Sequence, residues 1–527
     1  MTQLLQQHLV IAPLLVPLLG GILLLLMRGS ATPLRRLVSM LSVQLLFGVA
    51  LLLLLTVSDG RTLVYALGGW PAPFGIVLVA DRLAAMLVLL TALLALFAMM
   101  HAIQGSDRSG RQFHVLFQFQ LLGLNGAFLT GDLFNLFVFF EVLLIASYGL
   151  LLHGGGPDRS RAGLHYVVVN LVGSSLFLFA VGTLYGVLGT LNMADMAVRV
   201  AALPPADRAL VQAAGLLLCL VFALKAALAP LHLWLPRAYA AAGPAAAAIF
   251  AVMTKVGAYA LVRVSTLIFG PGGELDGLVE PWLLSLGLVT IVVGSIGVLA
   301  SRQLGLLVSH LVVVSAGTLL TAFGIGGAAA VSAGLYYLLH STLVAAALFL
   351  LTDNVAAARG RCADRIAAGP LLPAANLLGG LFLVLAVAVV GLPPLSGFLG
   401  KVMVLQAGLS SPWMPWILAV VLVSSLLTLV AVTRAGSALF FKTDPDAGSA
   451  TLPNMADLVP VMALGGLGIL LVIYAGPVYA FVAATAAQLL DPAAYVGAVL
   501  GAAPDAVPVV APDMAQGAVA TPEVNLP

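Results

Sequence analysis

Read as a string of apolar and polar positions, the chain is a series of long apolar windows separated by short joints of charge, Gly and Pro. The windows fall at 8–27, 36–56, 83–103, 113–130, 133–152, 164–189, 210–234, 245–269, 281–300, 303–323, 328–351, 373–408, 413–440 and 458–485. Crossing a bilayer takes about 20 apolar residues in a helix. The pattern therefore predicts an all-α integral membrane protein of about 14 transmembrane helices. The last stretch, 500–527, mixes Pro, Ala and acids without periodicity and is expected to be a flexible tail.

Composition narrows the function classes. Of 527 residues, 62% are hydrophobic and 8% charged, and the mean hydropathy is +1.15, which leaves no soluble catalytic domain. The N-terminal MTQLLQQHLV lacks a basic region and a cleavage site, so it reads as the start of a retained helix. Cys219 and Cys362 form no CxxC pair, which argues against an iron–sulfur cluster, a zinc site or a disulfide framework. The net charge is +2 and no basic block suggests a nucleic-acid partner; the partner implied is membrane lipid. Phosphate-loop, dinucleotide and HExxH motifs are missing from the sequence, so no cofactor or metal is expected and the chain reads as a transporter component rather than an enzyme. Its energy must come from an ion gradient or from a partner.

Charge placement orients the chain. When the loops alternate between two sides, one side collects fourteen Lys and Arg residues, among them Arg302, Arg365, Arg434 and Lys442; the other holds only Arg61, Arg82, Arg199 and Arg208. Cytoplasmic loops are the basic ones, so both termini are expected on the non-cytoplasmic side of a cell membrane.

Inside the windows the few charges are selective. Three of the four lysines, Lys225, Lys255 and Lys401, lie in apolar runs, while nearly all arginines lie in loops. Arginine keeps its proton, whereas a desolvated lysine can release and recapture one. An intramembrane charge costs about 3 kcal/mol even on lenient insertion scales and marks function by default. Glu141, in FVFFEVLLIASY, is the carboxylate deep in a span, and Lys225 is its expected ion-pair partner. Pro230 in LKAALAPLHLWLPRA is expected to break one helix. Pro393 and Pro394, with Gly391 and Gly397, interrupt another in VVGLPPLSGFLGKVMVL, which carries Lys401. Two interrupted spans that each carry a lysine suggest an internally duplicated transporter. Lys255 is the next carrier after Lys225, and His232, His310 and His340 can relay protons between lysines, although each singly could be a packing residue.

Four segments, GDLFNLFVFFEVLLIASYGL, KAALAPLHLWLPRAYAAAGP with MTKVGAYALVR, LYYLLHSTLVAAALFLL and GLPPLSGFLGK, together resemble the D subunit of Mrp-type multisubunit cation/proton antiporters. Their superfamily includes the antiporter-like subunits of respiratory complex I and of membrane-bound hydrogenases. The resemblance implies three N-terminal helices (1–112), two inverted five-helix repeats (113–269, helices 4–8; 281–440, helices 9–13), helix 14 (458–485), and breaks in helices 7 and 12. It further implies a proton path through Glu141, Lys225, Lys255 and Lys401, with weaker carry-over for His310 and His340. Partner subunits of the A, B, C, E, F and G types, and exchange of cytoplasmic Na⁺ for external H⁺ at a bacterial inner membrane, follow from the same resemblance. ASRQLGLLVSH departs from relatives by lacking their acidic–basic lead-in. Two rivals stand beside this reading: the proton-pumping module of a redox complex, and a structural subunit bracing an ion path in another chain.

Overall fold

With no water in the hydrocarbon core, each buried backbone N–H and C=O must be satisfied within the chain, and the apolar windows do this by becoming helices. The computed structural model describes residues 8–501 apart from 28, 30, 111, 271 and 272, so nearly all of the expected flexible tail lies outside the described residues. The helices are α1 (Ala12–Leu26), α2 (Thr32–Val57), α3 (Arg82–Ala102), α4 (Phe113–Leu129), α5 (Leu133–Leu152), α6 (Pro157–Leu188) and the short α7 (Met193–Ala201). There follow α8 (Arg208–Lys225), α9 (Trp234–Ala241), α10 (Pro244–Leu267), α11 (Glu280–Ala300), α12 (Leu304–Ile325) and α13 (Gly327–Arg359). The chain closes with α14 (Ala375–Val390), α15 (Ser396–Ala407), α16 (Met414–Gly436), α17 (Met455–Ile473), α18 (Ala475–Leu490) and α19 (Pro492–Leu500).

Among the described residues, 11 helices are long and apolar enough to cross a membrane, or up to 12 if the bent α18–α19 pair is one span. The shorter apolar helices α1, α4 and α14 occupy three further windows. Among the described residues the one sheet is a hairpin of β1 (Leu63–Ala66) and β2 (Val77–Ala80), antiparallel with Leu63 opposite Ala80. Asp81 follows β2 and caps α3, its Oδ1 accepting from Ala84 N at 2.9 Å.

The helices differ in what surrounds them. The apolar stretch of α10 is 100% buried and that of α13 94%, against 28% for α2 and for α17. The buried helices therefore form the middle of the bundle, and the others present Leu and Val to lipid.

Two helices end shortly before Pro230 and before Pro393–Pro394. Helix α8 ends at Lys225, Ala227 has φ of +59°, and Leu228 N reaches back five residues to Ala223 O. Helix α14 ends at Val390, Gly391 has φ of +84°, and Leu392 N reaches back five residues to Val387 O. A residue before proline is steered out of the helical region and proline offers no N–H, so the helix must stop upstream. The final window is also divided: α17 ends at Ile473 and α18 starts at Ala475. There Pro477 stands in the first turn of α18, where its ring is tolerated.

Candidate functional site

Glu141 lies on α5 with its side chain half-buried, and its Oε1 accepts a hydrogen bond from Ser174 Oγ on α6. One turn earlier on α6, Asn170 donates from Nδ2 to Tyr166 O at 2.9 Å, which turns its Oδ1 toward α8. That oxygen accepts from Lys225 Nζ at 3.1 Å. The expected direct Glu141–Lys225 ion pair is therefore not formed. Instead, two neutral side chains spaced i, i+4 on α6, which packs against both α5 and α8, each hold one of the two charges. Lys225 Nζ also lies 5.9 Å from the ring centroid of Phe140, the residue beside Glu141.

Helix α10 crosses the first break close by. A Cβ on Gly257 would sit 2.4 Å from Ala226 N and 2.8 Å from Lys225 C, so only glycine lets the backbones approach this closely. Two residues earlier, Lys255 is fully buried and donates from Nζ to Ser315 Oγ on α12 at 3.1 Å.

The second break is arranged in the same way. His340, buried on α13, bonds through Nδ1 to Ser396 Oγ at 2.8 Å, at the start of α15. A Cβ on Gly397 would stand 2.0 Å from Ala388 O and 2.8 Å from His340 Nε2. Lys401 folds back along α15, donating to Val390 O at 2.7 Å and to Ser425 Oγ on α16 at 2.9 Å. Pro393 and Pro394 lie in the connection between α14 and α15.

His310 is placed differently. Its Nδ1 faces Leu306 O at 2.9 Å and Ser301 Oγ at 3.3 Å, and its ring packs against Gly297 on α11. Five residues separate it from Ser315, which turns it about 140° around α12 from the Lys255 contact. His232, just past Pro230, is buried, and its Nδ1 has no hydrogen-bond partner among the described residues. Among the described residues no group of three or more His, Cys, Asp or Glu side chains could hold a metal ion.

The sequence reading overlooked Asn170, Ser174, Ser396 and Ser425; for Asn170 and Ser174 the available signal was two polar residues one helical turn apart in an otherwise apolar run. It also overlooked Arg263, which is buried on α10 and pairs with Asp81 at 2.6 Å. The rings of Tyr259 and Tyr495 frame the guanidinium at 5.4 and 5.2 Å.

Comparison with known proteins adds to this geometry. The model of the family described as NADH:quinone oxidoreductase/Mrp antiporter, TM, matches residues 130–428. A protein of Rhizobium meliloti (strain 1021), named as the probable D subunit of a K(+)/H(+) antiporter, is 41% identical, over 94% of this chain and 98% of its own length. The D subunit of the Na(+)/H(+) antiporter of Bacillus subtilis (strain 168) is 37% identical, over 93% and 99%. Among solved structures, a chain of the Mrp complex from Dietzia sp. DQ12-45-1b superposes with a TM-score of 0.84 at 28% identity, covering 94% of this chain and 100% of that one. A chain of the membrane-bound sulfane sulfur reductase, an archaeal respiratory membrane complex, gives 0.86 at 25% identity with the same coverage.

Proposed function

Because the chain belongs to the NADH:quinone oxidoreductase/Mrp antiporter transmembrane family, with antiporter D subunits among its relatives, we propose that it is the proton-translocating subunit of a multisubunit monovalent cation/proton antiporter. It exchanges cytoplasmic Na⁺ for external H⁺ and is a transporter subunit rather than an enzyme. The observation that carries this reading is the row of ionisable side chains held by small neutral partners across the bundle: Glu141 with Ser174, Lys225 with Asn170, Lys255 with Ser315, His340 with Ser396, and Lys401 with Ser425. A proton enters at Glu141, is passed through Lys225 and Lys255, and leaves by way of His340 and Lys401; each transfer changes the field felt by the next group. His310 and His232 serve a side branch toward the Arg- and Lys-rich rim.

The fourteen windows, each holding a helix, support fourteen crossings: helices 1–3 over 1–112, repeats over 113–269 and 281–440, and helix 14 within 458–485. The matching make of the two breaks, a left-handed residue followed by a bond reaching five residues back, supports the duplication. The skewed Lys/Arg distribution supports both termini on the non-cytoplasmic face of a bacterial inner membrane. The partner subunits are of the A, B, C, E, F and G types.

The test uses the chain expressed with its neighbouring subunits in a host lacking its own antiporters. Inside-out vesicles are energised by respiration, and collapse of ΔpH is followed on adding NaCl or KCl. Collapse by Na⁺ in wild type, lost in an equally assembled Glu141→Gln variant, supports the reading; a response to K⁺ alone changes the cation. The likeness to the sulfane sulfur reductase chain favours a second reading, a redox-driven pump module. A complex that ignores both cations and co-purifies with redox centres establishes that reading instead.

A further inference from the structure

On the Arg- and Lys-rich rim, away from the ionisable row, a cavity of about 880 Å³ opens between the α11–α12 link, the loop after α13 and the end of α16. Arg302, Arg365, Arg434 and Lys442 line it, and no acidic side chain is among its lining residues. Among the described residues none of the four enters an ion pair. Four cations turned to one space repel one another, and that cost is relieved by an anion.

The backbone holds this arrangement ready. Ile366 N donates to Arg302 O at 2.9 Å, and Leu304 N to Asp364 O at 2.9 Å, tying the loop to the α11–α12 link. Gly369 N donates to Lys442 O at 3.3 Å, and Asp444 N to Gly369 O at 2.8 Å, tying the same loop to the chain beyond α16. Arg359 is fully buried beneath and gathers the loop around its guanidinium, donating to Arg365 O and Ala367 O at 2.5 Å each. Arg434 is steadied by Leu299 O at 2.7 Å and Ser301 O at 3.1 Å.

Next to the cavity the surface turns apolar. Val430 and Leu426 lie one and two turns before Arg434 on the same face of α16, 52% and 58% exposed. Ile296 and Val292 stand exposed on α11, and a Ser295–Ser424 hydrogen bond of 2.8 Å joins the two helices behind them. A cationic cup at the membrane rim continued by an exposed apolar seam has the two-part chemistry of an acidic lipid.

We propose that this cavity binds the phosphodiester headgroup of an anionic phospholipid, whose acyl chains lie along the α11–α16 seam. Arg302, Arg365, Arg434 and Lys442 neutralise the phosphate, and the lipid fixes the end of α16 against the α11–α12 link. Arg365 and Lys442 are the residues to change, since their side chains are exposed and brace no helix.

The experiment compares the assembled complex with an Arg365→Gln/Lys442→Gln variant. Phospholipid retained after detergent washing is counted by mass spectrometry. Delipidated wild type is then melted with cardiolipin, phosphatidylglycerol, phosphatidylcholine or inorganic phosphate added. The expected result is at least one more anionic phospholipid retained per chain by wild type, and a rise in melting temperature with the two anionic lipids only. Equal retention by both proteins overturns the proposal, as does stabilisation by phosphate alone, or a cross-link from the cavity to an acidic segment of a neighbouring subunit in place of lipid. If the double variant does not assemble, Lys442→Gln alone is read by the same criteria.

Discussion

Asn170→Ala is the most discriminating change, because Asn170 is the one side chain that accepts from Lys225 and neither gains nor loses a proton. In the native arrangement Lys225 Nζ is buried and gives a hydrogen bond to Asn170 Oδ1 at 3.1 Å. A hydrogen bond to a charged group is worth about 1.5–3 kcal/mol. Alanine removes the acceptor, so every state with the proton on Lys225 rises by that amount. At 1.36 kcal/mol per factor of ten, turnover through Lys225 falls about 10- to 150-fold. Stability also falls, since the bonds to Lys225 Nζ and to Tyr166 O are both lost, so rates are compared only between equally assembled complexes. The assay is the initial rate of Na⁺-induced ΔpH collapse in inside-out vesicles, normalised to assembled complex. Asn170→Asp is run beside it; a carboxylate there pins the ammonium and also slows transport, by trapping the proton instead of repelling it. Asn170→Ala that retains more than half of the wild-type rate refutes the relay from Glu141 to Lys225 through α6.

Three further changes test other parts of the molecule. Gly397→Ala puts a Cβ 2.0 Å from Ala388 O and 2.8 Å from His340 Nε2; overpacking of about 1–3 kcal/mol displaces His340 and is expected to reduce transport at least about tenfold, measured at matched assembly. Asp81→Ala leaves Arg263 buried without its 2.6 Å partner and is expected to cost about 3–5 kcal/mol; an unchanged melting temperature of the purified complex counts against it. Asp107, in the connection after α3, is buried, and burial pushes its carboxyl up; hydrogen bonds from His114 and Arg36, together with the Arg36 charge, outweigh this and hold it well below the usual carboxylate range. A carboxyl lowered by folding contributes stability above the ordinary carboxylate pKa of about 3.9 and loses it as pH falls toward the folded value. Asp107→Asn is therefore expected to melt lower than wild type at pH 7, with the gap closing below about pH 4; thermal melts across that range measure it, and a gap independent of pH would contradict the assignment.

The helices were legible because membrane burial writes them as apolar runs: the window 133–152 has the bounds of α5, and 245–269 lies within two residues of Pro244–Leu267. The last window, 458–485, reads as one helix in the sequence, whereas the structure divides it before Gly476–Pro477. A proline there cannot continue a helix arriving through Ile473, whose carbonyl its ring would meet. The breaks were legible by residue type and misplaced by a few residues, since a proline acts on the turn before it. Contacts were much less legible. Asp81 and Arg263 are 182 positions apart in the chain, so their pairing depends on how α3 and α10 lie side by side. Glu141 and Lys225 suggest a direct pair because opposite charges are the obvious match; that each is held instead by its own polar side chain on α6 follows from packing, which charge alone does not encode.

The partners of the buried cations separate two kinds of intramembrane charge. Arg263 faces a carboxylate and two tyrosine rings, an arrangement that holds a permanent charge in place and joins β2, α3, α10 and α19. Lys225, Lys255 and Lys401 each bond to an amide, hydroxyl or backbone oxygen and to no carboxylate. A lysine in contact with a carboxylate would be held as the ion, since separating them leaves two uncompensated charges in a dry interior. A hydroxyl accepts from the ammonium and donates to the amine, so the contacts of Lys255 and Lys401 with Ser315 and Ser425 survive loss of the proton. Asn170 meets the same need by its two-sided amide, while Glu141 is held separately by Ser174 on the same helix. An unpaired, hydrogen-bonded lysine is the costlier choice for stability in a membrane. Three of them, in the helices that also carry the two breaks and the fully buried centre, are what the proposed proton transfer requires and what bracing alone does not.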